Sequence, residues 1–230
     1  MIRTSSLFCG ILLLSCASVA QAQIVFQAPV AITTNDGSQI LTNGTYVDAV
    51  GANGFSEAPS LTYPTPGAAI MIGGTTFNPI FSDSGITFSS PTGIGGGTDG
   101  SSSRATPFLT VLDDVAYVGD FNPADVETGT VTLHNLVAGD QYQVQLFNDS
   151  FDRTFLHGTA PANTETVFRS YSVGDFTAGS TTQTFTFDSS VSGIGAIDAI
   201  VVEQLPEPST WAMMFGGLAL LGFCVRRKLA

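Results

Sequence analysis

The sequence has almost no basic residues between its two ends. Lysine is absent from residues 23–205, where Arg104, Arg153 and Arg169 stand against eighteen aspartates and glutamates, a formal charge of −15. Proteins bind a phosphate backbone by displacing counterions with lysine and arginine, so we expect no nucleic-acid partner. A surface this acidic favours solubility and can attract divalent cations.

Cysteine is absent from the same region. Cys9 and Cys16 lie in the N-terminal apolar segment, and Cys224 lies in the C-terminal one. Disulfides, cysteine-based zinc sites and thiol nucleophiles are therefore excluded from the central region, which depends on its hydrophobic core. Thioredoxin-like and cysteine-protease functions are excluded with them.

Histidine is nearly absent as well. His134 and His157 are the only two, and they lack a metal-binding spacing; His134 is predicted to be an ordinary surface residue on the outward face of a strand. No Gly-x-Ser-x-Gly elbow of a serine hydrolase occurs. We therefore assign no catalytic residue, and the central domain is predicted not to be an enzyme. The less favoured alternative is a polysaccharide-processing enzyme, since paired carboxylates could serve a glycosidase.

The N-terminus has three parts: Arg3, an apolar run from Leu7 to Leu14, and the small-residue site Ala20-Gln21-Ala22. This pattern predicts a secretory signal peptide over residues 1–22, recognised by the Sec machinery and cleaved after Ala22. The alternative is a lipobox at Leu13-Leu14-Ser15-Cys16, with Cys16 lipidated. Both interpretations predict export.

The C-terminus also has three parts: Pro206-Glu207-Pro208, an apolar stretch from Trp211 to Val225, and the basic cluster Arg226, Arg227 and Lys228. As a helix, that stretch would reach only ~22 Å across a hydrocarbon core of ~30 Å. Trp211 can lie at one interface while the basic cluster reaches the other, with the basic end cytoplasmic. A marginal transmembrane helix is predicted.

This order of motif, helix and basic cluster over residues 205–230 resembles the PEP-CTERM sorting signal of Gram-negative bacteria. The resemblance implies recognition by an exosortase, an integral-membrane processing enzyme, and an association with exopolysaccharide and biofilm. The implied route is transient anchoring in the inner membrane with the domain in the periplasm, followed by the cell surface or the extracellular space. The alternative is a plain tail anchor behind a proline hinge.

Residues 23–204 are long enough for one domain with a sizeable core. Short apolar runs separated by Gly, Thr, Ser, Asn and Asp predict an all-β, antiparallel β-sandwich. The predicted strands cover residues 24–33, 44–50, 69–72, 86–89, 130–136, 141–147, 167–173, 183–187 and 197–203. Residues 35–37 and 138–140 carry turn signals.

Several local patterns are more specific. In residues 141–146, Tyr142, Val144 and Leu146 are predicted to enter the core while the three glutamines face water. This strand and the one before it predict a hairpin through residues 137–140. Residues 107–115 are predicted to be helical, and the glycine-rich residues 89–105 to be a mobile surface loop. Residues 196–202 predict a central strand buried on both faces.

The succession of residues 44–50, 130–133, 139–149 and 196–202 resembles domains of secreted planctomycete proteins that are similar to galactose-binding-like jelly rolls. It implies a jelly-roll fold and carries little information about function.

Two surface clusters are candidate binding sites. Asp149, Phe151, Asp152 and Arg153 follow a strand end, where an aromatic ring, carboxylates and a guanidinium could hold a sugar; a plain turn with Arg153 neutralising an aspartate is the alternative. A second acidic cluster could bind Ca²⁺ through oxygen ligands, although it lacks EF-hand spacing and fits solvated charge; its members are Asp113, Asp114, Asp120, Asp125 and Glu127. No other cofactor is predicted.

Overall fold

The computed structural model describes residues 23–51, 68–90, 95–98, 105–118, 126–149, 154–157, 164–166, 168–189 and 195–206. The predicted signal peptide and C-terminal membrane segment lie outside these ranges. Within them, no helix is long and apolar enough to cross a bilayer. The described chain is mostly β-strand, which confirms the predicted β-rich class.

The described ranges contain one helix, α1 (Pro107–Leu112), and sixteen strands. The strands are β1 (Val25–Phe26), β2 (Val30–Ala31), β3 (Thr45–Gly51), β4 (Ile70–Ile72), β5 (Thr75–Pro79), β6 (Ile86–Ser89), β7 (Gly95–Thr98), β8 (Asp114–Val118), β9 (Thr128–Leu133), β10 (Gln141–Asn148), β11 (Thr154–His157), β12 (Thr164–Thr166), β13 (Ser170–Thr177), β14 (Gln183–Ser189), β15 (Gly195–Ile197) and β16 (Ala199–Gln204).

These strands form three sheets. The eight-stranded sheet has the order β1-β13-β10-β16-β3-β5-β4, with β2 also paired to β13. The other two have the orders β12-β11-β14-β9-β6 and β15-β8-β7. Among these strands β3 and β5 run parallel, so the prediction of a purely antiparallel arrangement is wrong at this pair.

The larger hydrophobic core contains side chains from the eight-stranded and five-stranded sheets. Tyr142, Val144 and Leu146 of β10 are buried in it, as the alternation predicted. The five-stranded sheet contributes Val131 and Phe187, among others. Burying one such large side chain stabilises the fold by about 1.5–3 kcal/mol, so this core accounts for much of the stability of a domain without disulfides.

The opposite face of the eight-stranded sheet is buried too, under α1. Thr106 caps the helix by accepting a hydrogen bond from the Leu109 backbone N–H, and Pro107 fits the first turn. Phe108, together with the rest of the apolar side of the helix, packs in a second core with Phe147 of β10. The predicted helix over 107–115 is too long, because residues 114–118 form β8 between β7 and β15.

This second core explains why one of the three predicted water-facing glutamines is buried. Gln145 is fully buried and accepts a hydrogen bond from the Leu41 backbone N–H at 3.0 Å. Its side-chain amide donates to the Gln39 carbonyl oxygen at 2.8 Å. The prediction of three exposed glutamines is therefore wrong at Gln145, because residues 39–41 cover that face and their backbone supplies the polar partners.

The predicted hairpin of β9 and β10 is wrong. β9 pairs with β14 and β6, whereas β10 pairs with β13 and β16 in another sheet. The predicted turn is present: Gly139 has a φ of +97°, and the Asp140 N–H donates to the Val137 carbonyl oxygen at 3.2 Å. It carries the chain from one sheet to the next instead of pairing its two flanking strands.

Two other strand predictions and one loop prediction need correction. Residues 24–33 form two short strands, β1 and β2. The predicted central strand over residues 196–202 is interrupted at Asp198, with β15 in the three-stranded sheet and β16 at the centre of the eight-stranded one. Part of the predicted glycine-rich loop, Gly95–Thr98, is strand β7 paired to β8. The prediction for 86–89 is confirmed as β6.

Candidate functional site

One end of the eight-stranded sheet carries a cluster of polar side chains, which we call the rim: Asn35, Asp149, Arg169 and Asp198. Asp149 follows β10, and Asp198 separates β15 from β16. The Asp149 backbone N–H donates to Asp198 Oδ2 at 2.8 Å, and the Asp198 N–H donates to the Phe147 carbonyl oxygen at 3.0 Å. These bonds fix the backbone of the rim.

Arg169 is the only cation among the described residues, and it bridges the rim. Its Nε lies 3.4 Å from Asp149 Oδ1, and its Nη2 donates to Asn35 Oδ1 at 2.7 Å. The Asp149 side chain is 2% exposed and that of Arg169 is 38% exposed. The arginine thus compensates a buried carboxylate while part of it stays open to solvent.

The backbone at Arg169 is held in an uncommon conformation. Its φ is +53°, in the left-handed region that few residues other than glycine adopt. The Ile32 N–H donates to the Arg169 carbonyl oxygen at 2.7 Å. Phe168, the preceding residue in the chain, is 40% exposed.

Of the predicted sugar-binding residues, the structure places Asp149 in the rim, facing Arg169. Phe151, Asp152 and Arg153 lie outside the described residues, so their role stays a prediction. Sequence reasoning missed Arg169, which is twenty positions from Asp149. The only available signal was that arginine is rare in this region.

A pair of hydrogen-bonded carboxyl groups, Asp48 and Asp83, was also missed. Asp48 lies on β3 and Asp83 in the connection from β5 to β6. Asp83 Oδ2 accepts from the Ile86 N–H at 3.1 Å, and Asp48 Oδ1 accepts from the Ala49 N–H at 2.8 Å. Gly85 lies against Asp48, whose Oδ2 would overlap a Cβ there. The pair therefore joins β3 of the eight-stranded sheet to the connection that leads into β6 of the five-stranded sheet.

The Asp48 carboxyl holds its proton unusually tightly. Burial, followed by the hydrogen bond and negative charge of Asp83, raises the pKa of Asp48 from 3.8 to about 7, against hydrogen bonds from the Ala49 backbone and the Asn78 side chain. Burial and the charges of Asp48 and Asp83 also raise the pKa of Tyr46 to about 12. The Asp48 carboxyl thus keeps its proton to a much higher pH than an ordinary aspartate.

The carboxyl pair predicts a pH-dependent stability. Because the pKa of Asp48 is higher in the folded state, its contribution is fully present below pH ~4 and is lost as the pH rises through about 7. We expect Asp48→Asn to flatten the decline of the urea midpoint between pH 4 and 8. At pH 8 the variant should be more stable than the unmodified protein.

Asp36→Asn is the matched control, because hydrogen bonds from Ser38, backbone and side chain, lower the pKa of the exposed Asp36 to about 2. The stability that Asp36 contributes is present above pH ~4 and is lost as the pH falls through about 2. The difference in urea midpoint between Asp36→Asn and the unmodified protein should therefore stay constant between pH 4 and 8. If the urea midpoints of Asp48→Asn and of the unmodified protein change in parallel between pH 4 and 8, the raised pKa of Asp48 is contradicted.

The remaining predicted clusters have ordinary structural surroundings. Within the described chain, no three His, Cys, Asp or Glu side chains gather as a metal site. Asp113 is buried after α1, and Asp120 and Asp125 lie outside the described residues. His134 is half-buried, with Nε2 2.9 Å from Thr87 Oγ1. The calcium hypothesis gains no support from these positions.

The opposite end of the eight-stranded sheet is where the chain leaves the domain, and we call it the exit end: Gly44, residues 137–141 and residues 203–205. The Leu205 N–H donates to the Gln141 carbonyl oxygen at 2.8 Å, and Gln204 Nε2 donates to Asp140 Oδ2 at 2.6 Å. The Gly44 N–H donates to Glu203 Oε2 at 2.9 Å. A Cβ at Gly44 would overlap the Gln204 carbonyl oxygen. The backbone is thus held up to the residue before Pro206.

Comparison with known families identifies one motif. Residues 204–228 match the PEP-CTERM protein-sorting motif. The match begins at the last residue of β16 and includes Pro206, Glu207 and Pro208, as predicted. The described structure reaches Pro206, while Arg226, Arg227 and Lys228 lie beyond it. A PEP-CTERM motif marks an exported protein that an exosortase processes after transient membrane anchoring.

Other comparisons add little. No curated protein is significantly similar to this chain. A crystal structure of the enzymatically active domain of bacteriophage CBA120 tailspike protein 4 is similar at 14% identity and a TM-score of 0.35. The match covers 55% of this chain and 20% of the tailspike chain. A likeness at this level supports no argument about the activity of this chain.

Proposed function

Since the chain carries a PEP-CTERM sorting motif, we propose that it is a non-catalytic protein of the cell surface or extracellular matrix, associated with exopolysaccharide. The observation that carries the proposal is the position of the motif, which begins where central strand β16 ends. All described strands end at or before Gln204, the first residue of the match. Processing at the motif would therefore release a complete β-domain, whose architecture we propose to be a jelly-roll-like sandwich.

The geometry of the acidic groups supports a non-catalytic role. Glycosidases need two carboxyl groups about 5 Å or more apart to flank the scissile bond. Asp48 and Asp83 hydrogen-bond to each other directly, which leaves no space for a sugar between them. At the rim, Asp149 is buried against Arg169, so its carboxylate serves the fold.

The association with exopolysaccharide is tested by fractionating cells. In a strain that makes the polymer, we expect the protein to sediment with the matrix. In a matched strain that cannot make it, most of the protein should appear in the culture medium. Equal sedimentation from both strains would contradict the matrix association and leave a plain surface location.

Carbohydrate binding at the rim is the second candidate function. It is favoured by the partly exposed guanidinium of Arg169, which Asn35 and Asp149 hold in place, and by the exposure of Phe168, the preceding residue in the chain. Aromatic rings stack on the apolar faces of sugars, and an arginine fork donates to their hydroxyl oxygens. A rigid guanidinium loses less entropy when it binds a ligand.

We expect Phe168→Ala and Arg169→Ala each to weaken retention on the purified exopolysaccharide by roughly tenfold, the equivalent of one lost contact of about 1.4 kcal/mol. Met71→Ala is the matched control, since Met71 is exposed on β4 at the other edge of the sheet. Affinity electrophoresis in gels containing the polymer measures the retention. Equal retention of all three variants and the unmodified protein would reject a sugar site here.

A further inference from the structure

The exit end and the rim lie at opposite ends of the same sheet. β10 runs from Gln141, opposite Thr177 of β13, to Asn148, opposite Ser170. β16 runs the other way, so its last residue Gln204 pairs with Tyr142. At ~3.4 Å per residue, the eight residues of β10 place the two ends about 24 Å apart.

The sorting motif follows the exit end without a spacer. Leu205 is hydrogen-bonded to Gln141 within the sheet, and Pro206 is the next residue. A chain spans at most about 3.6 Å per residue, so Pro208 lies within about 7 Å of Pro206. An enzyme that encloses residues 206–208 in its cleft must therefore meet the folded domain as well.

We infer that the exit end is a docking surface for the membrane-embedded enzyme that processes the motif, an inference that rests on the proposed function. Three exposed side chains are available for contact there, Val137, Ala138 and Gln141. Because Asp140 and Glu203 hydrogen-bond to Gln204 and Gly44, the surface stays fixed to the chain that leads into the motif.

A protein surface suits this end better than a lipid surface. The region between residues 23 and 205 has a formal charge of −15, and Asp140 and Asp175 lie toward the exit end of β10 and β13. Anionic lipid headgroups would repel these carboxylates. The rim, at the other end of the sheet, then faces away from the membrane and stays open to a ligand during processing.

The test places a photo-cross-linking amino acid at Val137 in the full chain, in cells that contain the exosortase. Val30 is the matched control, because it is also an exposed valine, 49% against 55% exposed, but lies on β2 at the rim end. We expect at least a fivefold higher yield of cross-linked exosortase from position 137. Equal yields, or cross-links from position 137 to lipid only, would overturn the inference.

The mature C-terminus of each variant is read in parallel by mass spectrometry. If neither variant loses its C-terminal segment, the proposed function fails. If both are processed but position 137 yields no more cross-linked exosortase than position 30, only the inference of a docking surface is overturned. Blocked processing of the position-137 variant, with an unchanged melting temperature, supports docking. If that melting temperature falls, the same probe at Ala138 gives the deciding comparison.

Discussion

Replacing Phe147 with alanine is expected to lower the free energy of unfolding by about 3–5 kcal/mol, the usual cost of deleting a buried aromatic side chain. Phe147 is 1% exposed and packs edge-to-face on Phe108, with ring centroids 5.5 Å apart. Its ring also lies 5.7 Å from that of Tyr171. The substitution would leave a cavity between the eight-stranded sheet and α1.

Phe168→Ala is the control for this prediction, since it deletes the same atoms at a site that is 40% exposed. We expect it to cost less than about 1 kcal/mol. Urea unfolding of the exported protein, followed by circular dichroism, measures both values. Equal losses from the two variants would show that the face covered by α1 is not a packed core.

Replacing Glu207 with alanine is expected to slow removal of the C-terminal segment at least about tenfold, because each lost recognition contact of 1.4 kcal/mol is a factor of ten. The substitution should leave the domain intact, since the hydrogen bonds that hold the exit end involve residues up to Leu205. The precursor should accumulate in the membrane fraction and retain Ala230.

Ser209→Ala is the matched control, because it truncates a neighbouring side chain outside Pro206-Glu207-Pro208. Pulse-chase labelling, with immunoprecipitation of precursor and mature forms, compares the rates. Processing of the Glu207 variant at the unmodified rate would show that Glu207 is not a recognition contact. Retention of Ala230 in the unmodified protein as well would favour the plain tail anchor, in which the prolines act only as a hinge.

The sequence predicts what is local and contiguous. The sorting motif is read directly because its elements lie within twenty-six residues of one another in the chain. The alternation in β10 correctly buries Tyr142, Val144 and Leu146. These predictions succeed because strand periodicity depends on neighbouring residues alone.

The failures concern contacts between distant segments. Gln145 is buried because residues 39 and 41 supply its hydrogen-bond partners, and strand alternation cannot reveal a covered second face. The turn after β9 is real, but a turn does not determine whether its flanking strands pair. For the same reason, the sequence did not predict the contact of Asp83 with Asp48 or that of Arg169 with Asp149, since each joins residues that are far apart in the chain.

The central claim is that the C-terminal segment is first a processing signal and only second an anchor. The most direct test is mass spectrometry of the mature C-terminus from the surface fraction, with and without the exosortase gene. We expect a C-terminus near Leu205 or within the sorting motif when the enzyme is present, and an intact Ala230 in the membrane fraction when it is absent. An intact Ala230 on surface protein from exosortase-containing cells would contradict the claim.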